Sequence, residues 1–243
     1  MHYLCKCSAV ALALAAVAAG CGGSGSAQGA RVLAAASLTE AFQKVDPSAR
    51  FSFAGSDELA RQIREGAPAD VYASANARYP DELFAEGLVE EPEVFASNRL
   101  VVIVPRGNPA GIASVEDVAE PGVELLVAAE GVPAGDYTRD VLADLGLERA
   151  LDNVVSNEDD VRGVAGKVAL GEADAGFVYV TDAAPVEDDV AVVELPEGAQ
   201  PPIEYEIAVV AGSENAEAAR VFVERVLGPE GRAALERAGF SVP

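Results

Sequence analysis

The chain is poor in the residue types that carry most nucleophilic and metal-binding chemistry. Its 243 residues include one His, three Cys, one Met and no Trp. His2, Cys5 and Cys7 stand at the extreme N-terminus, and the third Cys is Cys21. Beyond Cys21 the sequence therefore has no imidazole and no thiol. This excludes Ser-His-Asp and Cys-His catalysis, zinc binding by Cys or His, and a disulfide within that part of the chain.

Positive charge is also scarce. Seventeen Lys and Arg residues stand against 40 Asp and Glu residues, giving a formal net charge of -23, and the basic residues form no cluster. A protein this acidic repels phosphate backbones, so nucleic acid and anionic membrane surfaces are poor partners for it, and we expect no nucleic acid to bind. Half of the residues are hydrophobic, and a chain of this length can form one large domain or two smaller ones with a full core.

The N-terminal segment is typical of export and tethering. The apolar run at residues 9–19 is too short to span a bilayer and resembles the core of a signal peptide. It ends in AAGC at residues 18–21, which resembles the lipobox of bacterial lipoproteins. We expect a signal peptide at 1–20, lipidation of Cys21 and a flexible Gly/Ser-rich tether over 21–29. A buried Ala-rich helix is the alternative interpretation of the apolar run.

The rest of the chain alternates short apolar runs with helical patterns. This order predicts an α/β fold with largely parallel sheets. The predicted strands are 30–35, 50–54, 69–73, 99–104, 123–128, 175–180, 190–194 and 206–211. The predicted helices begin near Ser37, Ser56, Ala77, Ser114, Ala134, Asp160, Glu214 and Pro229. Pro/Gly-rich breaks at residues 106–111 and 196–202 indicate joints between two parts of the fold.

Four loops share one pattern, in which a strand runs into small residues and then into a helix start. They are residues 34–37, 51–56, 131–135 and 157–161. A helix N-terminus offers unpaired N–H groups and partial positive charge, and in open α/β sheets such ends meet at the carboxyl edge of the strands. The pattern therefore indicates an anion site without a basic side chain.

Each of these signals has an ordinary structural explanation. Ser37 begins an S-x-x-E capping box with Glu40, and Ser56 is an acceptable N-cap. Asp160 would cap its own helix, so we assign the donor of the fourth loop to the Val161 backbone N–H. Tyr179 fits an amphipathic strand equally well.

Several segments in fixed order resemble the molybdate-binding proteins of bacterial molybdate ABC importers, which are type II periplasmic solute-binding proteins. The segments are 32–42 (VLAAASLTEAF), 53–75 (FAGSDELARQIREGAPADVYASA), 97–105 (SNRLVVIVP), 131–137 (GVPAGDY), 158–164 (EDDVRGV), 175–183 (AGFVYVTDA) and 204–210 (EYEIAVV). The resemblance covers residues 30–243. It implies two α/β lobes, each a mostly parallel sheet flanked by helices, with residues 30–105 and 204–243 in lobe 1, 106–203 in lobe 2, and a two-strand hinge.

The resemblance also implies a ligand set. Molybdate or tungstate would accept hydrogen bonds from the hydroxyls and backbone N–H groups of Ser37 and Ser56, from the N–H groups of Ala134 and Val161, and from the phenol of Tyr179. The chain departs from the pattern of this family at two places. Ser37 and Ser56 are only nineteen residues apart, so the first helix must be shorter than in typical relatives. Tyr205-Glu206 stands where many relatives have Tyr-Pro.

The implied function is an extracytoplasmic lipoprotein that captures molybdate or tungstate and delivers it to a membrane permease. We expect a monomer that is not an enzyme, needs no cofactor and no directly bound metal, and is anchored through Cys21. One alternative is the same scaffold specific for sulfate, thiosulfate or another oxyanion. Two others are a carboxylate-based secreted hydrolase and a structural surface adhesin.

Overall fold

A computed structural model describes residues 29–243 of the chain. The predicted signal peptide, the lipidation site at Cys21 and nearly all of the tether lie outside the described residues. Within residues 29–243 the chain forms two five-stranded sheets. Among these residues no helix is both long and apolar enough to cross a membrane.

The first sheet has the strand order β2-β1-β3-β10-β4. Strand β10 runs antiparallel to both of its neighbours, and the other four strands share one direction. The bounds are β1 Arg31–Ala35, β2 Arg50–Ala54, β3 Val71–Ser74, β4 Glu93–Asn98 and β10 Ile203–Val209.

The second sheet has the order β7-β6-β8-β5-β9, and here β5 is the antiparallel strand. The bounds are β5 Leu100–Pro105, β6 Leu125–Ala128, β7 Val154–Glu158, β8 Ala175–Tyr179 and β9 Val190–Glu194. Each sheet with its flanking helices forms one lobe, which confirms the predicted mostly parallel α/β architecture of the type II binding-protein fold.

Eight α-helices flank the sheets within the described part of the chain. Those of the first lobe are α1 Thr39–Val45, α2 Ser56–Arg64, α3 Arg78–Ala85, α7 Ala216–Leu227 and α8 Pro229–Arg237; those of the second are α4 Pro133–Asp144, α5 Val161–Ala169 and α6 Val180–Ala183. Short 3-10 turns occupy Ala36–Leu38, Val115–Ala119, Glu148–Asn153 and Ala184–Val186. The helix predicted near Ser114 is thus a 3-10 turn, closed by a capping box between Ser114 and Asp117.

The sequence analysis did not predict strands β4 and β7. Strand β4 begins with exposed Glu93 and Val94 directly after Pro92, and β7 alternates between exposed and half-buried residues. Both are sheet edges, where one side of the backbone has no neighbouring strand, so neither requires the continuous apolar run that marks a central strand.

The chain crosses between the lobes at Arg99, earlier than predicted. Residues 100–105 were expected in lobe 1, but β5 pairs with β8 and β9 of the second sheet. The lobe boundary at residue 105 was therefore wrong. The chain returns between β9 and β10, and there the Gln200 amide bonds both the N–H and the carbonyl of Leu100, at 3.0 and 2.7 Å. The two crossings are thus joined side by side.

Helix α1 is short, as the spacing of its flanking motifs predicted. Phe42, on α1, packs in the core against Phe95 of β4 and Phe222 of α7, with ring centroids 5.7 and 5.4 Å apart. These contacts fix α1 and the preceding 3-10 turn on the first sheet. Ser37 is thereby held at the end of β1, where the lobes meet.

Candidate functional site

A small cavity lies between the two lobes at the carboxyl ends of their parallel strands. The first lobe contributes the residues that follow β1, β2 and β3. The second contributes the starts of α4 and α5 and the end of β8. The lining residues are Ala35, Ala36, Ser37, Ala54, Gly55, Ser56, Ala75, Val132, Pro133, Ala134, Asp160, Val161 and Tyr179. All five residues predicted to contact a ligand therefore line one cavity.

Ser37 lies inside the 3-10 turn rather than at the start of a helix. No side-chain cap is present at this turn or at α1, so the predicted capping box with Glu40 was wrong. The buried Ser37 Oγ instead lies 2.9 Å from the hydroxyl of Tyr205 on β10. Glu40 points across the cleft and bonds the guanidinium of Arg162 at 2.6 and 2.7 Å.

Ser56 is the first residue of α2, and Gly55 is the N-cap. The Ser56 Oγ accepts a hydrogen bond from the Ala75 N–H at 3.1 Å, and its carbonyl accepts one from the Tyr72 hydroxyl at 2.8 Å. Because the Ala75 N–H can only donate, the Ser56 hydroxyl proton is free to point elsewhere. The interpretation of Ser56 as the N-cap of α2 was therefore wrong.

Two backbone donors come from the second lobe. Ala134 is the second residue of α4, after Pro133, and Val161 is the first residue of α5, so their N–H groups have no partner within their own helices. Asp160 caps α5 as predicted, accepting from the Gly163 N–H at 3.0 Å. Its carboxylate is thus held by its own helix.

Tyr179 ends β8 and is 1% exposed. Its hydroxyl is buried and has no hydrogen-bond partner among residues 29–243. Burial raises the pKa of this hydroxyl well above its usual value, so the phenol keeps its proton. A buried phenol without a partner is costly, by roughly 1–3 kcal/mol, and the open space beside it is the cavity.

The cavity is electrostatically suited to an anion although its lining has no Lys or Arg. Helices α2, α4 and α5 each direct an N-terminus toward it, and each end carries about half a positive charge. In the described part of the chain, no group of three or more His, Cys, Asp or Glu side chains is placed to hold a metal ion.

Contacts across the cleft hold the two lobes together around the cavity. Besides the Glu40–Arg162 ion pair, the Tyr79 hydroxyl donates to the Gly131 carbonyl at 2.5 Å. Gly55 approaches the second lobe so closely that a Cβ there would lie 2.8 Å from the Asp159 carbonyl oxygen. A ligand in the cavity would be enclosed from both sides.

Sequence reasoning missed three participants in this site. Gly55 is required by the close approach of the lobes, Ala75 anchors Ser56, and Tyr205 bonds Ser37. The loop 51–56 that was identified in the sequence contains Gly55, but nothing in it indicates the close approach of the lobes. Tyr205 was noted only as part of the return crossing. The Ala75 N–H carries no side-chain signal at all.

Comparison with known proteins shows the family of the chain. A family model described as bacterial extracellular solute-binding protein matches residues 30–241. The molybdate-binding protein ModA of Mycobacterium tuberculosis (strain H37Rv) is 40% identical over 229 residues, covering 89% of this chain and 87% of that protein. ModA of Escherichia coli (strain K12) is 32% identical over 227 residues, covering 87% and 88%.

A solved structure shows the same fold. The periplasmic molybdate-binding protein of Azotobacter vinelandii superposes with a TM-score of 0.78 at 21% identity, covering 88% of this chain and 99% of that one. The family match and the two relatives extend over nearly all of the described residues. The chain therefore belongs to the bacterial extracellular solute-binding proteins.

Proposed function

We propose that the chain binds molybdate, or the similar tungstate dianion, between its lobes and delivers it to the membrane permease of an ABC importer. The relatives named above are molybdate-binding proteins, and the cavity offers hydrogen-bond donors suited to such an anion. The chain acts as a binding protein and not as an enzyme. The donors are Ser37, Ser56, Ala134, Val161 and Tyr179.

The unpartnered hydroxyl of Tyr179 is the observation that carries this proposal. It shares the cavity with two serine hydroxyls and the N-termini of α2, α4 and α5. A fully deprotonated tetrahedral dianion only accepts hydrogen bonds, so every donor of the wall finds an acceptor on it. Hydrogen bonds to charged groups contribute about 1.5–3 kcal/mol each, and several of them are sufficient for tight binding.

Ligand exchange requires the lobes to separate. With the crossing at Arg99, lobe 1 comprises residues 31–98 and 203–243 and lobe 2 comprises residues 100–194. Ser37 and Ser56 belong to the first lobe, whereas Ala134, Val161 and Tyr179 belong to the second. A bound anion therefore stabilises the closed arrangement by bonding both lobes at once.

The site of action is outside the cytoplasm. Cleavage before Cys21 and lipidation of that residue would tether the monomeric protein to the membrane through the segment 21–29, near its permease. The diacyl modification of a lipoprotein Cys provides more than one chain, as stable anchoring requires. Metabolic labelling with a palmitate analogue tests this, and labelling that survives Cys21→Ala would contradict it.

Ligand identity is tested by thermal and chemical unfolding of the purified protein with molybdate, tungstate, sulfate or phosphate. An anion at about 100 times its dissociation constant adds roughly 2.7 kcal/mol to the free energy of unfolding. We expect such a gain with molybdate or tungstate. No gain with either would refute the proposal, and a larger gain with sulfate would reassign the site to that anion.

Tyr179→Phe separates binding from folding. The variant removes a hydroxyl that has no partner among residues 29–243, so the free protein should be as stable as the wild type or more so. Molybdate affinity should fall about 10- to 100-fold, because a bond to a charged ligand is lost. Tyr72→Phe is the contrast for stability, since its hydroxyl donates to the Ser56 carbonyl, and it should lower the free energy of unfolding. Unchanged affinity in Tyr179→Phe would contradict the assignment.

A further inference from the structure

A polar chain runs through the buried interior behind Ser37. The Asn98 Nδ2 lies 3.3 Å from the Tyr205 hydroxyl, which lies 2.9 Å from the Ser37 Oγ. Asn98 is the last residue of β4, at the crossing between the lobes, and Tyr205 is on β10. Both residues are buried, so their hydrogen bonds are shielded from water.

The direction of each bond in this chain can be assigned. The Arg99 N–H lies 2.9 Å from Asn98 Oδ1; because an N–H only donates, Oδ1 is the acceptor and Nδ2 carries the amide protons. Nδ2 therefore donates to the Tyr205 oxygen. Among the described residues, the phenol proton then has one acceptor within bonding distance, the Ser37 Oγ, and a buried hydroxyl proton without an acceptor would be unfavourable.

The Ser37 proton is directed by this arrangement. Because Ser37 Oγ accepts from Tyr205, its own proton must point away from Tyr205, and Ser37 also lines the cavity. The Ser56 hydroxyl is likewise left free to donate its proton, since its Oγ accepts directly from the Ala75 N–H. Both serines thus have their oxygen engaged by the protein and their proton available.

We propose that Asn98 and Tyr205 are positioning residues that aim the Ser37 hydroxyl proton at the bound oxyanion. This inference rests on the proposed function of the cavity. A serine hydroxyl is otherwise a rotor that donates or accepts equally well, and an anion would have to order it on binding. A hydroxyl already oriented as a donor avoids that cost, as preorganised groups do in general.

The polar chain also connects the site to the crossing between the lobes. A second Nδ2 bond of Asn98 reaches the Thr181 Oγ1 of α6 in the second lobe at 2.8 Å. The same amide group thereby contacts both lobes. Its orientation, and with it the direction of the Ser37 proton, is fixed where the chain passes from one lobe to the other.

The decisive experiment is a double-mutant cycle with isothermal titration of molybdate and of tungstate. Tyr205→Phe keeps the ring but frees the Ser37 hydroxyl, and it should weaken binding about 10-fold. In a Ser37→Ala background the same change should alter affinity less than 2-fold, because no hydroxyl remains to be oriented. Ser213→Ala, which removes a hydroxyl bonded to Asp70 in the same lobe, is the matched control and should leave affinity unchanged.

Each outcome is decisive. An equal loss in both backgrounds, or no loss in the wild-type background, would overturn the positioning role while leaving the proposed binding function intact. Failure of the wild-type protein to bind any oxyanion would overturn the binding function itself, and this inference with it. The wild-type titration alone therefore distinguishes the two failures.

A second variant covers the case in which Tyr205→Phe does not fold. Asn98→Asp converts the donor at this position into an acceptor, so the Tyr205 proton turns toward it and the Tyr205 oxygen becomes an acceptor for the Ser37 proton. Binding should weaken more than 10-fold, and part of that loss should disappear in the Ser37→Ala background. A loss of the same size in both backgrounds would reflect only the added charge and would refute the assigned direction.

Discussion

Gly55 provides a test of whether the lobes must approach each other for binding. Its φ of -59° and ψ of 141° suit any residue, so an alanine here causes no backbone strain. The added methyl group would lie 2.8 Å from the Asp159 carbonyl oxygen across the cleft and 2.5 Å from the Asp57 Oδ1 in its own lobe. We expect Gly55→Ala to fold normally and to hold the lobes apart.

The magnitude follows from these two contacts. Asp57 Oδ1 has no hydrogen-bond partner among the described residues, so its side chain can turn aside at small cost. The Asp159 carbonyl belongs to the backbone, and the contact falls 0.6 Å short of the 3.4 Å where ordinary contact begins (3.4 − 2.8). Overpacking of this kind costs about 1–3 kcal/mol, which corresponds to roughly 5- to 150-fold in the dissociation constant.

The assay combines titration calorimetry with molybdate and urea unfolding of the free protein. Affinity should fall by the stated factor, whereas the free energy of unfolding should stay constant or rise by about 0.4–1 kcal/mol, since alanine restricts the unfolded chain. Gly107→Ala is the matched control, because nothing lies within 4 Å of its Cβ position, and it should leave affinity unchanged. Affinity within 2-fold of the wild type in Gly55→Ala would refute the requirement for closure.

Three further predictions concern charge, helix stability and pH. Glu40→Gln and Arg162→Gln should each weaken molybdate binding about 2- to 5-fold in calorimetry, less so at high salt, because both remove a partly exposed ion pair between the lobes; tighter binding by Glu40→Gln would show that only long-range charge matters. Gly166→Ala in α5, with open space around its Cβ, should raise the free energy of unfolding by about 0.5–1 kcal/mol in urea titrations, and a loss would refute this. Burial and two neighbouring carboxylates raise the pKa of Glu206 from 4.5 to about 7. The folded state then keeps a proton that the unfolded chain releases, so stability falls as pH rises from about 4.5 to 7; Glu206→Gln should flatten that slope, and an unchanged slope would contradict the assignment.

The sequence was sufficient to predict the alternating α/β order and the carboxyl edge as the location of the site. Both follow from local features: apolar central strands such as β5 and β8, and small residues ahead of helix starts. The edge strands β4 and β7 and the true crossing at Arg99 did not follow. They depend on which strands become neighbours, and that is decided by packing over long sequence distances.

In the candidate site, too, local features were predictable from the sequence and long-range contacts were not. Ser37 and Ser56 were identifiable because hydroxyl residues before helices are visible in a sequence. Their actual partners were not, since the capping-box motif at Ser37 predicts a local bond that the structure replaces by a bond to Tyr205. Tyr205 is distant in the chain and reaches Ser37 only because β10 returns to the first sheet.

The strong acidity of the chain and the proposed anion site in its cleft are compatible because their fields differ in range. A net charge of -23 acts on an approaching dianion over distances that salt screens beyond about 8–10 Å. The helix ends act within a single turn, on an anion already seated between Ser56, Ala134 and Val161. Neutral donors within hydrogen-bonding distance bind a dianion without a cationic side chain in the cavity. A cationic side chain there would also pair with the Asp160 carboxylate, which lines the cavity. Recognition by backbone and hydroxyl groups is therefore how so acidic a protein can hold an anion, and it is also why no single basic residue in the sequence marks the site.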